Sequence, residues 1–454
     1  MELPIGFITK IQQLLGEEAE NFFTHLKDES PIGIRVNPIK TNRNDFLTAV
    51  TANGTPISWC NDGFFLNEEK ASVTKHPYYH AGLCYVQEPS AMFPAEALKV
   101  EPHHWVLDLC AAPGGKTTQI AGKLNNQGLL VANDVSPKRL APLIQKVQAF
   151  GVRNTFVTHE TPERLASVFP EQFDRILVDA PCSGEGMFSR NPRSISQWSQ
   201  KYVEEIAQLQ RNILTEAVGM LAPGGIMVYS TCTFSPEENE GTIQWLLDTF
   251  PHLVVDPLEE FPELSPSNPQ WVQGDQSLSG ARRAWPHRIK GYGHFIARIR
   301  DTRPLMKPVR IPVDTTLPPE DFAAWQTENL TKPLTGHFYE KKSKLYLCPP
   351  ELPALARKKL RSPLPGFYLG ELKKNRFQPS HALALSLGNQ DTKRSIEFPS
   401  SSQESMKYLR GDTILKGSKN KGWTLVTIDG YSVGWAKQTG QHLKNQIPAG
   451  WKYD

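Results

Sequence analysis

The sequence predicts an α/β protein built on a doubly wound, mostly parallel sheet, with smaller modules at both ends. Three observations predict it. Apolar strand-length runs alternate with helical runs from about residue 100 to residue 300. A glycine-bearing turn, DLCAAPGGKT (Asp108 to Thr117), leaves the first of these runs. Two cysteines, Cys182 and Cys232, each follow a later run, which places them at strand exits. In an open α/β sheet the strand exits are where ligands bind.

In chain order, residues 7–27 carry helical apolar spacing, and IGIRVNP and GFFLN predict short strands around a helical DFLTAV. They form a small α+β module whose elements run to about Lys70. VLDLC then predicts the first sheet strand, followed by a helix from Lys116 to Leu124. GLLVAND is the second strand. Its helix runs from Pro137 to Phe150, with Ser136 as cap and Pro142 as a kink. NTFVTH, RILVDA and GIMVYS are further buried strands. Gln197 to Leu221 and PEENEGTIQWLLDTF are helices, the latter with acids at its positive end, and HFIARIR closes the series. Residues 256–282 form an insertion loop. KPVRIPVD and NQDTKRSIEFPSSSQ are linkers around a small mixed domain, and the tail is β-rich. The domain boundaries expected are 1–95, 96–300, 301–388 and 389–454.

Composition excludes several classes. No apolar run approaches the roughly 18 residues needed to span a bilayer, and no secretory leader pattern opens the sequence. Six cysteines without a CxxC pair argue against a zinc site and a disulfide scaffold, so a cytoplasmic setting with reduced thiols is expected. The net charge of +3 hides an asymmetry: residues 301–454 hold 24 Lys and Arg against 14 Asp and Glu. A basic C-terminal third suits a polyanion.

The turn after VLDLC brings glycines and a helix N-terminus to a cofactor. A P-loop would need glycine where Cys110 stands, and GxGxxG is absent. Asp134, which ends the second strand, suits ribose hydroxyls. A nucleoside cofactor without a required pyrophosphate, such as S-adenosylmethionine, fits. Two thiols beside it suit covalent chemistry on a pyrimidine. One sulfur adds to C6, C5 becomes nucleophilic, and a base then removes the C5 proton. Asp179, protonated or hydrogen-bonding, would engage N3 and the exocyclic amine of cytosine. Taken alone, Cys110 is a structural strand-end residue, and Cys60, Cys84 and Cys348 have no supporting constellation.

DLCAAPGGKT, DAPCSGEG (Asp179 to Gly186) and YSTCT (Tyr229 to Thr233) together resemble the Sun/nucleolar-protein (NSUN-type) family of RNA cytosine-5 methyltransferases. YVQEPSAM (Tyr85 to Met92) and RAWPHRIKGYGHFIA (Arg283 to Ala297) add to the resemblance, which covers residues 30–300. The tail is similar to that of bacterial 16S ribosomal RNA enzymes of the RsmF type, which end in a PUA-like RNA-binding module. The resemblance implies a Rossmann-like, S-adenosylmethionine-dependent core. It implies Cys232 as the nucleophile, Cys182 as the residue assisting release, and Asp179 at both base and cofactor. Cys110, Ala111, Ala112, Pro113, Gly114, Gly115 and Lys116 would wrap the cofactor, with Asp134 at its ribose and Glu160 on the adenine side. Lys116 would also bias Cys232 towards thiolate.

The partner expected is 16S ribosomal RNA in the small subunit, with no metal, membrane or obligate protein partner. Transfer RNA as substrate is the nearest alternative. The other is a non-catalytic RNA-binding or assembly protein. Trp423, Tyr431 and Trp435 would either stack on bases or form the core of the tail module. Arg35 and Asn37 would face RNA or decorate a strand edge.

Overall fold

The structure, a computed structural model, describes residues 2–28, 32–50, 54–66, 70–305, 310, 314–416 and 421–453. Asn67 of GFFLN, most of the 307–314 linker and the tail turn 417–420 lie outside the described residues.

The N-terminal helices Ile5–Leu15 and Ala19–His25 are separated by a single 3-10 turn, Gly16–Glu18. A small antiparallel sheet follows, made of β1 (Ile32–Val36), β2 (Gly54–Pro56), β3 (Gly63–Leu66) and β4 (Cys84–Gln87), in the order β2-β3-β1-β4. The fourth strand extends this module beyond Lys70.

The central sheet contains β5 (Trp105–Asp108), β6 (Leu129–Asn133), β7 (Thr155–Thr158), β8 (Phe173–Asp179), β9 (Leu221–Thr231), β10 (Leu253–Val255), β11 (Ser265–Pro266), β12 (Arg282–Ala284) and β13 (His294–Asp301). Its order is β11-β12-β13-β9-β8-β5-β6-β7, with β10 paired to β13. The five strands β5 to β9 are parallel, and β13 runs antiparallel to β9. Almost every side chain on β5 and β6 is buried, as expected where helices cover both faces of a parallel sheet. The chain reverses its winding direction between β5 and β8, so the crevice at their carboxyl ends is the topological switch point.

Local chemistry refines four expectations. The helix Pro137–Ala149 continues through Pro142. Ser136 makes no side-chain cap; its backbone N–H donates instead to Asp134 Oδ1 at 2.9 Å. The helix predicted from PEENE starts only at Glu240, because Glu238 is drawn into contacts below the cysteine loops. Glu240, the one acid in its first turn, is held bidentate by buried Arg283. Residues 256–282 are folded: Ser265–Pro266 pairs with Arg282 and Arg283, adding an edge strand.

A four-stranded sheet spans 337–379 and a five-stranded sheet spans 395–445. Ser395–Phe398, expected within a linker, is a strand of the latter, parallel to Gly422–Ile428. Trp435 is 2% exposed and donates to Ser380 O at 3.0 Å, with its ring edge-on to Trp325, so it cements these two modules. Tyr431 hydrogen-bonds Thr41 and packs on Tyr78 of the N-terminal module. Trp423 is half-buried beneath Lys437. The core reading therefore holds for Trp435, whereas Tyr431 is half-buried at the contact with the N-terminal module. No helix among the described residues is long and apolar enough to cross a membrane.

Candidate active site

Three adjacent strands, β5, β8 and β9, release their chains into one crevice. The turn after β5 is pinned from below. Ala111 N donates to Asn133 O at 2.8 Å, and Thr117 Oγ1 donates to Asp108 Oδ2 at 2.7 Å. Gly114 has φ +107°, a conformation that glycine adopts without strain, and it starts the helix Gly115–Leu124. A cleft of about 190 Å³ opens beside this turn, lined by Tyr85, Gln87 and Glu88 from β4 and its exit, by Asp108, by the 110–116 turn and by Asp179. Asp108 Oδ1 is buried and has no hydrogen-bond partner among the described residues. Burial pushes the Asp108 carboxyl up to about 7.

Asp134 lies at the exit of β6, 2% exposed, and accepts from Ala112 N at 3.2 Å and from Ser136 N. Glu160 lies beyond β7. Asn133 ties it to the rest, donating to Glu160 O at 3.0 Å and to Leu109 O at 3.2 Å. These contacts join both acids to the turn, although neither lines the cleft itself. A glycine turn, an unpartnered buried acceptor and two acids on successive strand exits suit a ligand with an amino-acid part and a nucleoside part.

Asp179 ends β8. Lys116 Nζ donates to its Oδ2 at 2.8 Å, Ser230 Oγ donates to its Oδ1 at 2.7 Å, and His294 Nε2 stands 3.6 Å from that same oxygen. Burial alone would raise the Asp179 carboxyl. The Lys116 charge and His294 outweigh burial and hold it well below the usual carboxylate range. Of the two forms expected for Asp179, protonated or hydrogen-bonding, this environment favours the hydrogen-bonding carboxylate. For Lys116, burial pulls the ammonium down, but Asp179 and then Cys232 hold it above its ordinary value. Lys116 thus feels both the carboxylate and the thiol.

Cys182 Sγ and Cys232 Sγ are 3.3 Å apart. The approach follows from register, because β8 and β9 pair in parallel with Asp179 opposite Ser230. The two loops are then stitched together. Ala180 N donates to Ser230 O at 2.9 Å, Gly186 N donates to Cys232 O at 2.8 Å, and Ser183 Oγ bonds Thr233 Oγ1 at 2.8 Å. Beneath them Glu238, fully buried, accepts from Ser183 N and from Gln210 Nε2, each at 2.9 Å. Glu185 accepts from Phe234 N, Ser235 Oγ and Trp198 Nε1. Its neighbour Phe188 joins Phe7, Phe22, Phe234 and Trp285 in an aromatic cluster that anchors both loops on the N-terminal helices. The hydrogen bond with Cys232, and then burial, push the Cys182 thiol far up, so Cys182 stays protonated.

The remaining thiols lie elsewhere. Cys110 lines the cleft, and burial pushes its thiol up. Cys60, Cys84 and Cys348 are buried, with thiols raised by burial to about 12, 12 and 11. Arg35 and Asn37 face no open surface. Arg35 is 1% exposed and donates to Gln87 Oε1, Gly115 O and Thr118 Oγ1. Asn37 donates to Gly82 O and Phe150 O. Both fasten the N-terminal sheet to the helix Gly115–Leu124 and its neighbour. Ser230, Ser183, Gln210, Glu238 and His294 escaped sequence reasoning, because only strand pairing brings them together.

The chain matches known proteins along nearly its whole length. The family described as 16S rRNA methyltransferase RsmB/F matches residues 95–300. The N-terminal domain of 16S rRNA methyltransferase RsmF matches 3–89, the RsmF first C-terminal domain 324–387, and the RsmF PUA domain 395–453. Ribosomal RNA small subunit methyltransferase F of Citrobacter koseri is 32% identical over 98% of this chain and 95% of its own length. Its Escherichia coli O17:K52:H18 counterpart is 31% identical over the same shares. Among solved structures, a methyltransferase homologue from Pyrococcus horikoshii is 34% identical with a TM-score of 0.59, covering 65% of this chain and 94% of that one. NSun6 from the same organism, 22% identical with a TM-score of 0.57 over 66% of this chain and 98% of that one, shares the fold. Likeness along nearly the whole length, module by module, makes this chain a member of the RsmF family of S-adenosylmethionine-dependent RNA methyltransferases.

Proposed function

We propose that this enzyme methylates C5 of cytosine in 16S ribosomal RNA of the small subunit, through a covalent bond between Cys232 and C6. The observation that carries the reading is the 3.3 Å approach of Cys182 and Cys232 beside the Lys116–Asp179 pair.

The Cys232 sulfur adds to C6, and the electrons of the C5–C6 double bond move to C5. Bound S-adenosylmethionine supplies an electrophilic methyl group. The turn Cys110 to Lys116 holds its amino-acid part, and the free Asp108 oxygen suits its ammonium. Asp134 suits its ribose and Glu160 its adenine edge. Ionised Asp179, clamped by Lys116 and Ser230, accepts from the exocyclic amine of cytosine and orients the ring. Water, acting as base, takes the C5 proton; the C5–C6 double bond re-forms and the C6–S bond breaks, so Cys232 leaves as thiolate. The neighbouring Cys182 thiol stabilises that leaving group by hydrogen bonding, which is its part in release.

C5 and C6 are shielded in a stacked duplex, so the base is unpaired or flipped into the site, at a cost of about a few kcal/mol. The modules over 301–388 and 389–454, with their excess of Lys and Arg, offset this through phosphate contacts. The N-terminal module 1–95 frames the catalytic domain 96–300. A ribosomal substrate places the enzyme in the cytoplasm.

Bisulfite mapping of RNA from cells with and without the protein tests this. A 16S cytosine that loses its methyl mark in the deletion strain is the expected result. Loss confined to transfer RNA, or methylation at another atom, contradicts it.

A further inference from the structure

The edge strand β7 does not end in solvent. Residues 361–364, from the first C-terminal module, run antiparallel along it. Val157 N donates to Leu364 O and His159 N donates to Arg361 O, both at 2.9 Å, and Ser362 Oγ donates to Val157 O at 2.6 Å. One residue further along, Glu160 Oε1 accepts from Arg361 N at 2.6 Å and Oε2 accepts from Arg361 Nη2 at 3.0 Å. Glu160 is 3% exposed, whereas the Arg361 side chain is 67% exposed.

Burial pushes the Glu160 carboxyl up, but the hydrogen bonds and charge of Arg361 outweigh it and keep it below its ordinary value. An ionised carboxylate is acceptor-only and offers about four acceptor positions. Arg361 N, Nη2 and, at 3.4 Å, Nε take three of these positions, and about one is left for a further donor. Asn133 meanwhile fixes the Glu160 backbone, accepting from Glu160 N at 3.0 Å. The acid is thus locked in place and in charge state by a residue about 200 positions away, contributed by a different module.

We infer that Arg361 is a positioning residue for the methyl donor: it holds Glu160 as a fixed acceptor for the exocyclic 6-amino group of adenine, so part of the cofactor selectivity resides in the first C-terminal module. This rests on the reading of Glu160 as the adenine-side acid. A 6-oxo purine presents an acceptor to that carboxylate and is rejected, because a site built for a donor leaves its buried group unpaired. Docking of the module does not hang on the guanidinium. The main-chain bonds to β7 remain without it, Leu364 stays in the hydrophobic core, and Arg164 still donates to Lys359 O.

Titration calorimetry on the full chain tests this, with S-adenosylhomocysteine and S-inosylhomocysteine as probes. The wild type should prefer the adenosyl compound. Arg361→Ala should weaken that compound about tenfold and shrink the preference by a similar factor, while Arg361→Lys, which keeps the charge without the fork, should fall between. Wild-type affinity and preference in Arg361→Ala would overturn the inference. Glu160→Gln separates the two layers. If it abolishes the preference while Arg361→Ala keeps it, the Arg361 role fails and the Glu160 reading stands. If it also keeps the preference, the Glu160 reading fails and this inference with it.

Discussion

Lys116 Nζ sits 2.8 Å from Asp179 Oδ2, joining the turn after β5 to the exit of β8. The ammonium keeps a half-buried carboxylate ionised, and the carboxylate keeps the ammonium charged. Lys116→Met should therefore lower kcat/KM by about 10²- to 10³-fold, the range for loss of one preorganised electrostatic partner. The sign of its pH effect also follows. Asp179 has a folded value below its ordinary 3.8, so its contribution to stability is present above that value and lost as pH falls through the lower one. Without Lys116 only His294 and the Ser230 bond oppose burial, so the acidic limb of the kcat/KM profile should move up. Superimposable limbs for the two proteins would show that Lys116 does not set the charge of Asp179.

Gly186 is placed where a side chain has no room. A Cβ there would stand 2.8 Å from the carbonyl oxygen of Cys232 and 3.1 Å from that of Tyr292. Both atoms are backbone, so neither can rotate away. Gly186→Ala should displace the Cys232 peptide and cut kcat by about tenfold or more, since misplacement of about 1 Å at reacting groups can cost 10²-fold. Cofactor affinity, measured by calorimetry, should change little, because the cofactor turn lies on another strand exit.

Glu238 lies below both cysteine loops with its carboxyl raised by burial from 4.5 to about 7. A raised acid binds its proton more tightly in the folded state. Stability should fall as pH rises from about 4.5 to about 7, and level off above that. Glu238→Gln preserves the shape of the protonated acid, so chemical denaturation should show that slope flattened. At pH 8 the variant should be more stable than wild type by up to about 3 kcal/mol. Glu238→Ala leaves Ser183 N without its acceptor and should be destabilised at every pH.

Arg35 fixes the N-terminal sheet to the helix Gly115–Leu124 through Gly115 O and Thr118 Oγ1. Arg35→Ala strands these buried acceptors and opens a cavity, so a loss of about 2–4 kcal/mol in denaturant unfolding is expected. Weaker S-adenosylhomocysteine binding should accompany it, because Gly115 opens the helix that carries Lys116.

These cases show what was legible in the sequence. Strands with continuous apolar runs, such as RILVDA and GIMVYS, announced themselves, and with them the exits that carry Asp179, Cys182 and Cys232. Short strands with mixed polarity did not. Ser395–Phe398 lies among Ser and Pro and is a strand only because Leu425 to Ile428 pair with it. Arg35 stands in a strand next to an Asn-Pro turn, where exposure to RNA was as plausible as packing, and only tertiary contact decides. Glu238 belongs to an acidic run that suggests a solvated helix start, yet it is fully buried. The contact between Arg361 and Glu160 is invisible in the sequence because the two lie in different modules.

In the proposed mechanism Cys232 bonds to C6 and Cys182 frees it. The direct measurement is denaturing gel electrophoresis of the enzyme incubated with S-adenosylmethionine and unmodified 16S RNA or small subunits. Cys182→Ala should accumulate a covalent protein–RNA band carrying the transferred methyl group, and Cys182→Ala with Cys232→Ala should show none. No band from Cys182→Ala together with normal turnover, or a band that survives loss of Cys232, would contradict it.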